Sequence, residues 1–307
     1  MTTKPWDGRA GQAARIVATG YYQPERILTN DDLARMVETD DTWIRTRVGI
    51  RERRIAADDE DVTDLATAAG DRALAASALS PADIDLVVVA TTTAETRSPN
   101  TACSGFDHAL ATAEHAITAG MARNALVIGA EKLSAFTDWA DRTTCVLVGD
   151  GAGAVVLSAV PESRRGVYRT LWGSVPTMSE AVVIDGDPAH FRQQGQAVFR
   201  WATTRLPELA RETCTVAGLD PSELAGFVPH QANLRIIDAL AEKLGLRPEA
   251  VVARDVIVSG NTSAASVPLA FAKLVEAGEL PPDAPVLLFG FGGGLTYAGQ
   301  VVRAPAG

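Results

Sequence analysis

Cysteine is scarce in this chain: 307 residues hold only three, Cys103, Cys145 and Cys214, widely separated and odd in number. That excludes a disulfide framework and the paired spacing of a zinc site, so no metal is expected and each thiol is weighed alone. Positive charge is also in deficit, with 28 Lys and Arg against 38 Asp and Glu. The resulting net charge of −10 leaves no basic footprint for nonspecific nucleic-acid binding. No apolar run approaches the ~20 residues that span a bilayer, and residues 1–9 contain no apolar leader segment. The expectation is a cytoplasmic protein with neither membrane nor nucleic acid as partner. With 47% hydrophobic and 21% charged residues, the composition is globular and the length suits one large α/β domain or two units.

What is present is an alternation of short β-branched runs and helix-like stretches, the pattern of a layered α/β fold. Strand candidates are Ala14–Tyr21, Ile84–Thr92, Ala125–Ala130, Val146–Val148 continuing through Ala154–Ser158, Val167–Trp172, Gly226–Pro229, Ala250–Val256, Val286–Phe289 and Thr296–Arg303. Two anchors recur along the chain. Ser80-Pro81-Ala82-Asp83-Ile84 and Asp220-Pro221-Ser222-Glu223-Leu224 each run into a strand, and Gly149–Ala154 and Gly290–Leu295 each join strand to strand, both pairs about 140 residues apart. A duplicated unit follows, with halves at 1–165 and 166–307. The first half is about 20 residues shorter than the second. Between the strand ending at Thr92 and Cys103 it has only a loop, where the second half places a helix, Asn233–Leu244, and the strand Ala250–Val256 before Asn261.

Cys103 opens a helix in which Phe106, Leu110, Ala113 and Ile117 recur at helical spacing. A thiol there meets unpaired N–H groups and the positive end of the helix dipole, which lower its pKa by ~1 unit and suit a nucleophile. The competing reading is a small buried hydrophobe, the ordinary fate of a lone cysteine and the one assigned to Cys145 and Cys214. Of four histidines, His108 stands ~140° around the helix from Cys103 and cannot face the thiol. His115 and His190 have no distinctive surroundings. His230 ends a short apolar strand, where α/β folds place functional groups, although a strand-end histidine is otherwise structural. Asn261 precedes its helix much as Cys103 precedes its own; alone, it reads as an N-cap. Gly292-Gly293-Gly294 is either a tight turn or a place where backbone N–H groups approach an oxygen unobstructed by a Cβ. Gly149-Asp150-Gly151-Ala152-Gly153 is no dinucleotide loop, because a strand rather than a helix follows it.

Taken together these residues resemble β-ketoacyl-ACP synthase III of the thiolase superfamily, nearly end to end. The stretches that carry the resemblance are Asp41–Ile50 (DTWIRTRVGI), Ala102-Cys103-Ser104-Gly105-Phe106, Gly149–Ala154, Val228-Pro229-His230-Gln231-Ala232-Asn233, Gly260–Ser266 (GNTSAAS) and Phe291-Gly292-Gly293-Gly294. The resemblance implies a thiolase fold, a duplicated five-layered α-β-α-β-α architecture with pseudo-two-fold halves, and a homodimer. It implies Cys103 as acyl carrier, with His230 and Asn261 stabilising the enolate left when malonyl-ACP loses carbon dioxide, and Cys103 and Gly293 supplying oxyanion N–H groups. Coenzyme A is expected against Trp43, with Arg47 and Arg142 near its phosphates and Gln196, Phe199, Ala232 and Asn233 along the channel. Acyl-CoA and malonyl-ACP are then substrates, and no further cofactor is implied.

Arg235 is expected to meet the acidic acyl carrier protein, assisted by Arg45, Arg47, Arg51, Arg53 and Arg54. Two departures from the family pattern stand out: Ser98 replaces an aromatic residue near the acyl pocket, and one helix and one strand are missing before Cys103. In the family that strand pairs across the dimer two-fold, so its loss leaves an open edge. Either the protein has lost these elements or its written sequence omits them; an intact mass of 32.3 kDa for the purified chain establishes the loss. Two other functions stay open at this point: an acyltransferase that moves the group from Cys103 to a hydroxyl or amine without condensation, and a non-catalytic thiolase-fold partner subunit.

Overall fold

The computed structural model describes residues 11–94 and 100–305. Its strands are β1 (Gln12–Tyr22), β2 (Ile27–Thr29), β3 (Glu52–Arg54), β4 (Leu86–Ala90), β5 (Asn124–Lys132), β6 (Asp150–Pro161), β7 (Leu171–Ser174), β8 (Val182–Gly186), β9 (Ala189–Gln193), β10 (Gly226–Pro229), β11 (Val251–Val252), β12 (Pro285–Gly292) and β13 (Thr296–Arg303). Its α-helices are α1 (Asn30–Ala34), α2 (Asp41–Val48), α3 (Val62–Ser77), α4 (Gly105–Thr118), α5 (Gly195–Val216), α6 (Leu234–Leu244), α7 (Val256–Ser259) and α8 (Ser266–Glu276).

Two mixed sheets, ordered β1-β6-β5-β4 and β11-β10-β12-β13-β7, form the frame. The strands of one sheet end by Pro161 and those of the other begin at Leu171. Both follow one plan, a parallel pair (β4 with β5, β10 with β12) extended by antiparallel neighbours. Helices α4 and α8 fill the space between the sheets, α3 covers the outer face of the first, and α5 and α6 cover the outer face of the second. This is the five-layered thiolase architecture expected from the sequence.

Small residues set the layer spacing. α3 is started by a reciprocal cap between Asp61 and Asp64 and buries Leu65, Ala66, Ala69, Gly70 and Ala73. That narrow face lets it sit on Gly20 of β1, where a Cβ would lie 2.3 Å from the Ala73 backbone nitrogen. The central helices approach as closely. A Cβ on Gly129 of β5 would meet the Ala264 carbonyl oxygen at 2.4 Å, and one on Gly290 of β12 would meet Asp107 Oδ2 at 2.3 Å.

Several sequence expectations change in the folded chain. The run Cys145–Val148 is not a strand: residues 142–147 form turns, and Val148 makes a single bridge to Asn261. Its apolar side chains fill a core cluster with Ile44, Ile50 and Ile237, so the hydrophobicity reflects burial rather than a ladder. Of Ala250–Val256 only Val251–Val252 pairs, and α7 begins at Val256. Val167 contributes one bridge to Val302, and the continuous strand is Leu171–Ser174. The hairpins β2–β3 and β8–β9 were not foreseen; β3 is Glu-Arg-Arg, a composition with no strand signal.

The shortened first half has a clear structural consequence. α6 and β11 have no counterpart beside β4, and among the described residues β4 pairs only with β5. Leu86 and Val88 face the central core. Val87 and Val89, on the opposite face, are 56% and 49% exposed, whereas all of β10 is buried beside β11. An open apolar edge lacking charge or proline favours pairing with other chains. Concentration-dependent self-association is therefore expected in size-exclusion chromatography with light scattering, and Val89→Lys should suppress it with little change in folding.

Candidate active site

Cys103 lies in a short 3-10 turn, Ala102–Ser104, that leads into α4 at Gly105. The turn is entered through Ala102 at φ 46°, and the Ala102 N–H donates to Asn100 Oδ1 at 2.9 Å. The second half repeats the device: Ser263 has φ 44°, its N–H donates to Asn261 Oδ1 at 2.8 Å, and the turn Ser263–Ala265 leads into α8. Asn261 thus corresponds to Asn100, while Cys103 corresponds to Ala264. The expected equivalence of Cys103 and Asn261 is off by three positions, because both turns start from an asparagine.

The thiol is enclosed by the far ends of both halves. A Cβ on Gly292 would stand 2.7 Å from Sγ, so glycine is required for the thiol to seat. The Gly293 N–H and the Ser263 hydroxyl act to lower its pKa. Burial nevertheless pushes the Cys103 thiol above its ordinary value. This corrects the expected lowering: stripping water from a thiolate costs more than these donors return, and the helix proper begins only at Gly105.

His230 follows β10, its N–H donating to the Phe289 carbonyl at 2.8 Å. Its ring stands edge-on to Phe291, centroids 5.2 Å apart, and the next residue of β12, Gly292, holds Cys103. Ser266 Oγ accepts the Gln231 N–H and lies 2.6 Å from His230 Nδ1. With Nδ1 as the acceptor of the Ser266 proton, the ring is protonated at Nε2 and is a donor there. Burial pushes the His230 pKa down to about 3, so the imidazole is neutral. Asn261 has its Oδ1 engaged by Ser263 and lines the neighbouring cavity, to which it can offer Nδ2–H. Phe291 and Gly292 of β12 thus link His230 to Cys103, and the turn that follows Asn261 packs on the turn that carries Cys103.

Two cavities flank these turns. One of about 570 Å³ is lined by Gln196, Phe199, Ala232, Asn233, Arg235 and Asn261. Asn233 caps α6 by accepting the Arg235 N–H, and the Arg235 guanidinium lies 5.1 Å above the Phe199 ring. The other, about 330 Å³, is bounded by Thr92, Ala102, Leu133, Phe136, Ser263 and Gly293. Trp43, Arg47 and Arg142 do not line the larger cavity. Their sequence neighbours Val48 and Thr143 do, and the Arg142 guanidinium stacks 4.9 Å over the Trp43 ring. Arg53 is a correction: it is fully buried, donating to the Leu28 and Val146 carbonyls and to Asn30 Oδ1, so it cannot meet a carrier. Ser98 lies outside the described residues.

Patterns of known families match over most of this frame. The pattern described as 3-oxoacyl-[acyl-carrier-protein] synthase III covers residues 99–176, and that of its C-terminal region covers residues 214–304. A Streptomyces avermitilis protein named β-ketoacyl-[acyl-carrier-protein] synthase III 2 is 60% identical over 313 positions, covering 95% of this chain and 99% of that one. The chain belongs to the 3-oxoacyl-ACP synthase III family.

Among solved structures of the family, the Aquifex aeolicus synthase III superposes with a TM-score of 0.89 at 41% identity, covering 94% of this chain and 99% of that one. The priming β-ketosynthase of the R1128 polyketide pathway gives 0.91 at 38% identity, covering 95% and 96%. The Streptomyces alignment, at 313 positions, is longer than the 307-residue chain, so this synthase lacks residues its relative has. Among the described residues no helix is long and apolar enough to cross a membrane, and no cluster of His, Cys, Asp or Glu is arranged to hold a metal.

Two buried residues escaped the sequence reading. Ser266, inside the Gly260–Ser266 stretch, holds His230 Nδ1 at 2.6 Å. Glu131, fully buried at the end of β5, accepts the N–H and hydroxyl of Thr92 (3.0 and 2.9 Å), the Thr93 hydroxyl (2.8 Å) and the Ala264 N–H (3.2 Å). Its signal was a carboxylate closing an otherwise apolar strand, Ala125–Glu131.

The depressed His230 pKa has a stability consequence. Below the unfolded value of about 6.5 the unfolded chain binds a proton that the native imidazole refuses down to about 3. This group therefore makes the fold less stable as pH falls through that window, by up to ~1.4 kcal/mol per unit. Burial raises Asp107 and Glu131, which act in the opposite sense. Urea unfolding of wild type against His230→Gln isolates the term: the variant should gain relative stability steadily from pH 6.5 downward.

Proposed function

We propose that this chain initiates fatty acid or polyketide synthesis: Cys103 takes an acyl group from acyl-CoA and passes it to the carbanion of decarboxylating malonyl-ACP, giving 3-oxoacyl-ACP. The carrying observation is the neutral, buried His230 packed on Phe291, next to the Gly292 that seats Cys103, with Asn261 lining the cavity that also meets Ala232 and Asn233.

In the first half-reaction the thiol attacks the thioester carbonyl. The tetrahedral oxyanion is held by the N–H groups of Cys103 and Gly293, and coenzyme A leaves as its thiol. A pantetheine arm lies in the larger cavity against Gln196, Phe199, Ala232 and Asn233, with the adenine end at Trp43 and the phosphates near Arg47 and Arg142. The acyl chain takes the smaller cavity. In the second half-reaction His230 Nε2–H and Asn261 Nδ2–H bond the malonyl thioester oxygen, and the electron pair released with carbon dioxide is held as an enolate. Its carbon attacks the acyl-cysteine and expels the Cys103 thiolate. A neutral imidazole suits this step, because it donates without surrendering its proton.

Arg235, which lines the larger cavity, is the docking point for the acidic carrier protein, with Arg45 and Arg47 adding positive charge. A homodimer in the cytoplasm is the assembly this reading carries, and the open β4 edge is where it is most vulnerable.

Intact-protein mass spectrometry after incubation with acyl-CoA should give one acyl adduct that Cys103→Ala abolishes. His230→Ala and Asn261→Ala should keep the adduct and slow carbon dioxide release from malonyl-ACP on the order of 10²- to 10³-fold. Adduct without carbon dioxide release in the wild type would indicate a plain acyltransferase, and no adduct with any acyl-CoA a non-catalytic subunit. Trp43→Ala should raise KM for acyl-CoA roughly tenfold at unchanged kcat, the loss of one stacked ring.

A further inference from the structure

Arg53 is fully buried, one of the largest side chains that the fold hides from water. Nη1 donates to Asn30 Oδ1 at 2.7 Å and to the Leu28 carbonyl at 3.3 Å, and Nη2 donates to the Val146 carbonyl at 2.8 Å. Nε has no partner among the described residues. Burial pulls the pKa down to about 10, which leaves the guanidinium charged at neutral pH. A buried cation held only by neutral oxygens is costly, and an apolar side chain of similar size would fill the space more cheaply. The two arms of this cation hold two separate parts of the larger cavity.

One arm reaches the segment that carries Asn261. Val146 lies in the turns that precede β6, and the three residues after it grip the Asn261 main chain. The Asn261 N–H donates to the Leu147 carbonyl at 2.7 Å, the Gly149 N–H donates to the Asn261 carbonyl at 3.0 Å, and Val148 pairs with Asn261 as a single bridge. The Arg53 stem lies under the same crossing: a Cβ on Gly260 would stand 3.1 Å from Arg53 Cβ, and one on Gly149 would stand 3.4 Å from it. With Oδ1 fixed by the Ser263 N–H, the aim of Asn261 Nδ2 follows from where residues 147–149 stand. The other arm reaches α2. Asn30 Nδ2 donates to Asp41 Oδ1 and to the Ile50 carbonyl, both at 2.9 Å, and so clasps the helix of Trp43 and Arg47 at its two ends. Val48 of that helix, Leu147 and Asn261 line the same cavity.

We propose that Arg53 is a positioning residue for Asn261: its guanidinium holds the Val146 carbonyl and, through residues 147–149, sets the place of the Asn261 carboxamide in the larger cavity. The assignment rests on the condensing-enzyme reading. Arg53 touches no substrate, and the turn that holds Cys103 is built from Ala102–Ser104 and Gly292, away from its arms. Its effect therefore falls on the step in which Asn261 bonds the malonyl thioester oxygen, and not on acylation. A planar fork serves both arms at once, which the single nitrogen of a lysine does not.

Arg53→Met removes both arms and keeps most of the volume. At saturating acyl-CoA the Cys103 adduct should form within about twofold of the wild-type rate, while carbon dioxide release from malonyl-ACP falls on the order of 10-fold. A general loosening of the fold also slows carbon dioxide release, so the deciding readout is a double-mutant cycle. Arg53→Met placed on Asn261→Ala should cost nothing further, because the group it positions is gone. Losses that multiply, an acylation loss equal to the loss of carbon dioxide release, or wild-type rates throughout would overturn the assignment. Should Arg53→Met fail to fold, Arg53→Lys goes through the same cycle with the same outcomes deciding. If wild type releases no carbon dioxide from malonyl-ACP, the functional reading fails separately, and amide hydrogen exchange tests the positioning. The variant should then speed exchange of the Gly149 and Asn261 N–H groups roughly tenfold and leave α3 unchanged. Unchanged rates at those two amides, or faster exchange everywhere, would reject it.

Discussion

The close seating of the two central helices on bare glycine backbone is the contact on which the rest depends. Gly129 and Gly290 let α8 and α4 approach the strands to distances no side chain allows. That approach puts the entry turns of both helices, carrying Ser263 and Cys103, against each other at the centre of the molecule. Each turn is made the same way, with an asparagine Oδ1 accepting an N–H from a residue at positive φ. Such φ values cost a non-glycine residue of order 1–3 kcal/mol and persist only where packing over-determines them. The energy of burying the central layer thus holds Cys103 in its unusual turn.

From that symmetric frame the chemistry arises by divergence. The same strand position carries Gly292 in one half and Glu131 in the other. The same turn position carries Cys103 in one and Ala264 in the other. The first half carries the Cys103 thiol, and Gly292 of the second makes room for it. Burial then does opposite things to two groups through one cause: it keeps the thiol protonated and the imidazole neutral, because neither charged form keeps its water. A neutral donor imidazole and a thiol that ionises only as it reacts are both suited to a thioester in a dry site.

Symmetry also exposes what the first half lacks. β10 is shielded by β11 and α6, while its counterpart β4 shows Val87 and Val89 to solvent. Yet the site is not undone: Glu131 ties down Thr92 and Thr93 just past the end of β4, holding the loop that enters the shortened region. The anchoring of that loop comes from a buried carboxylate rather than from sheet neighbours.

Much was legible before any coordinates. Strands at Gly226–Pro229 and Thr296–Arg303, the duplication, and the missing helix and strand follow from periodicity and spacing, because local pattern records which face is buried. Val146–Val148 misled for the same reason: burial alone does not distinguish a core turn from a strand. Arg53 looked like surface charge, because nothing local says that three oxygen acceptors from distant segments will enclose it.

The sequence by itself determined the fold family and the candidate reactive groups, since these reside in residue type and spacing. Only the tertiary structure decided the state in which those groups stand: a raised thiol, a neutral imidazole with Nδ1 against Ser266, and a buried Glu131 bonded to the Ala264 N–H. Protonation depends on solvent exclusion and on partners more than a hundred residues away, which no local pattern contains.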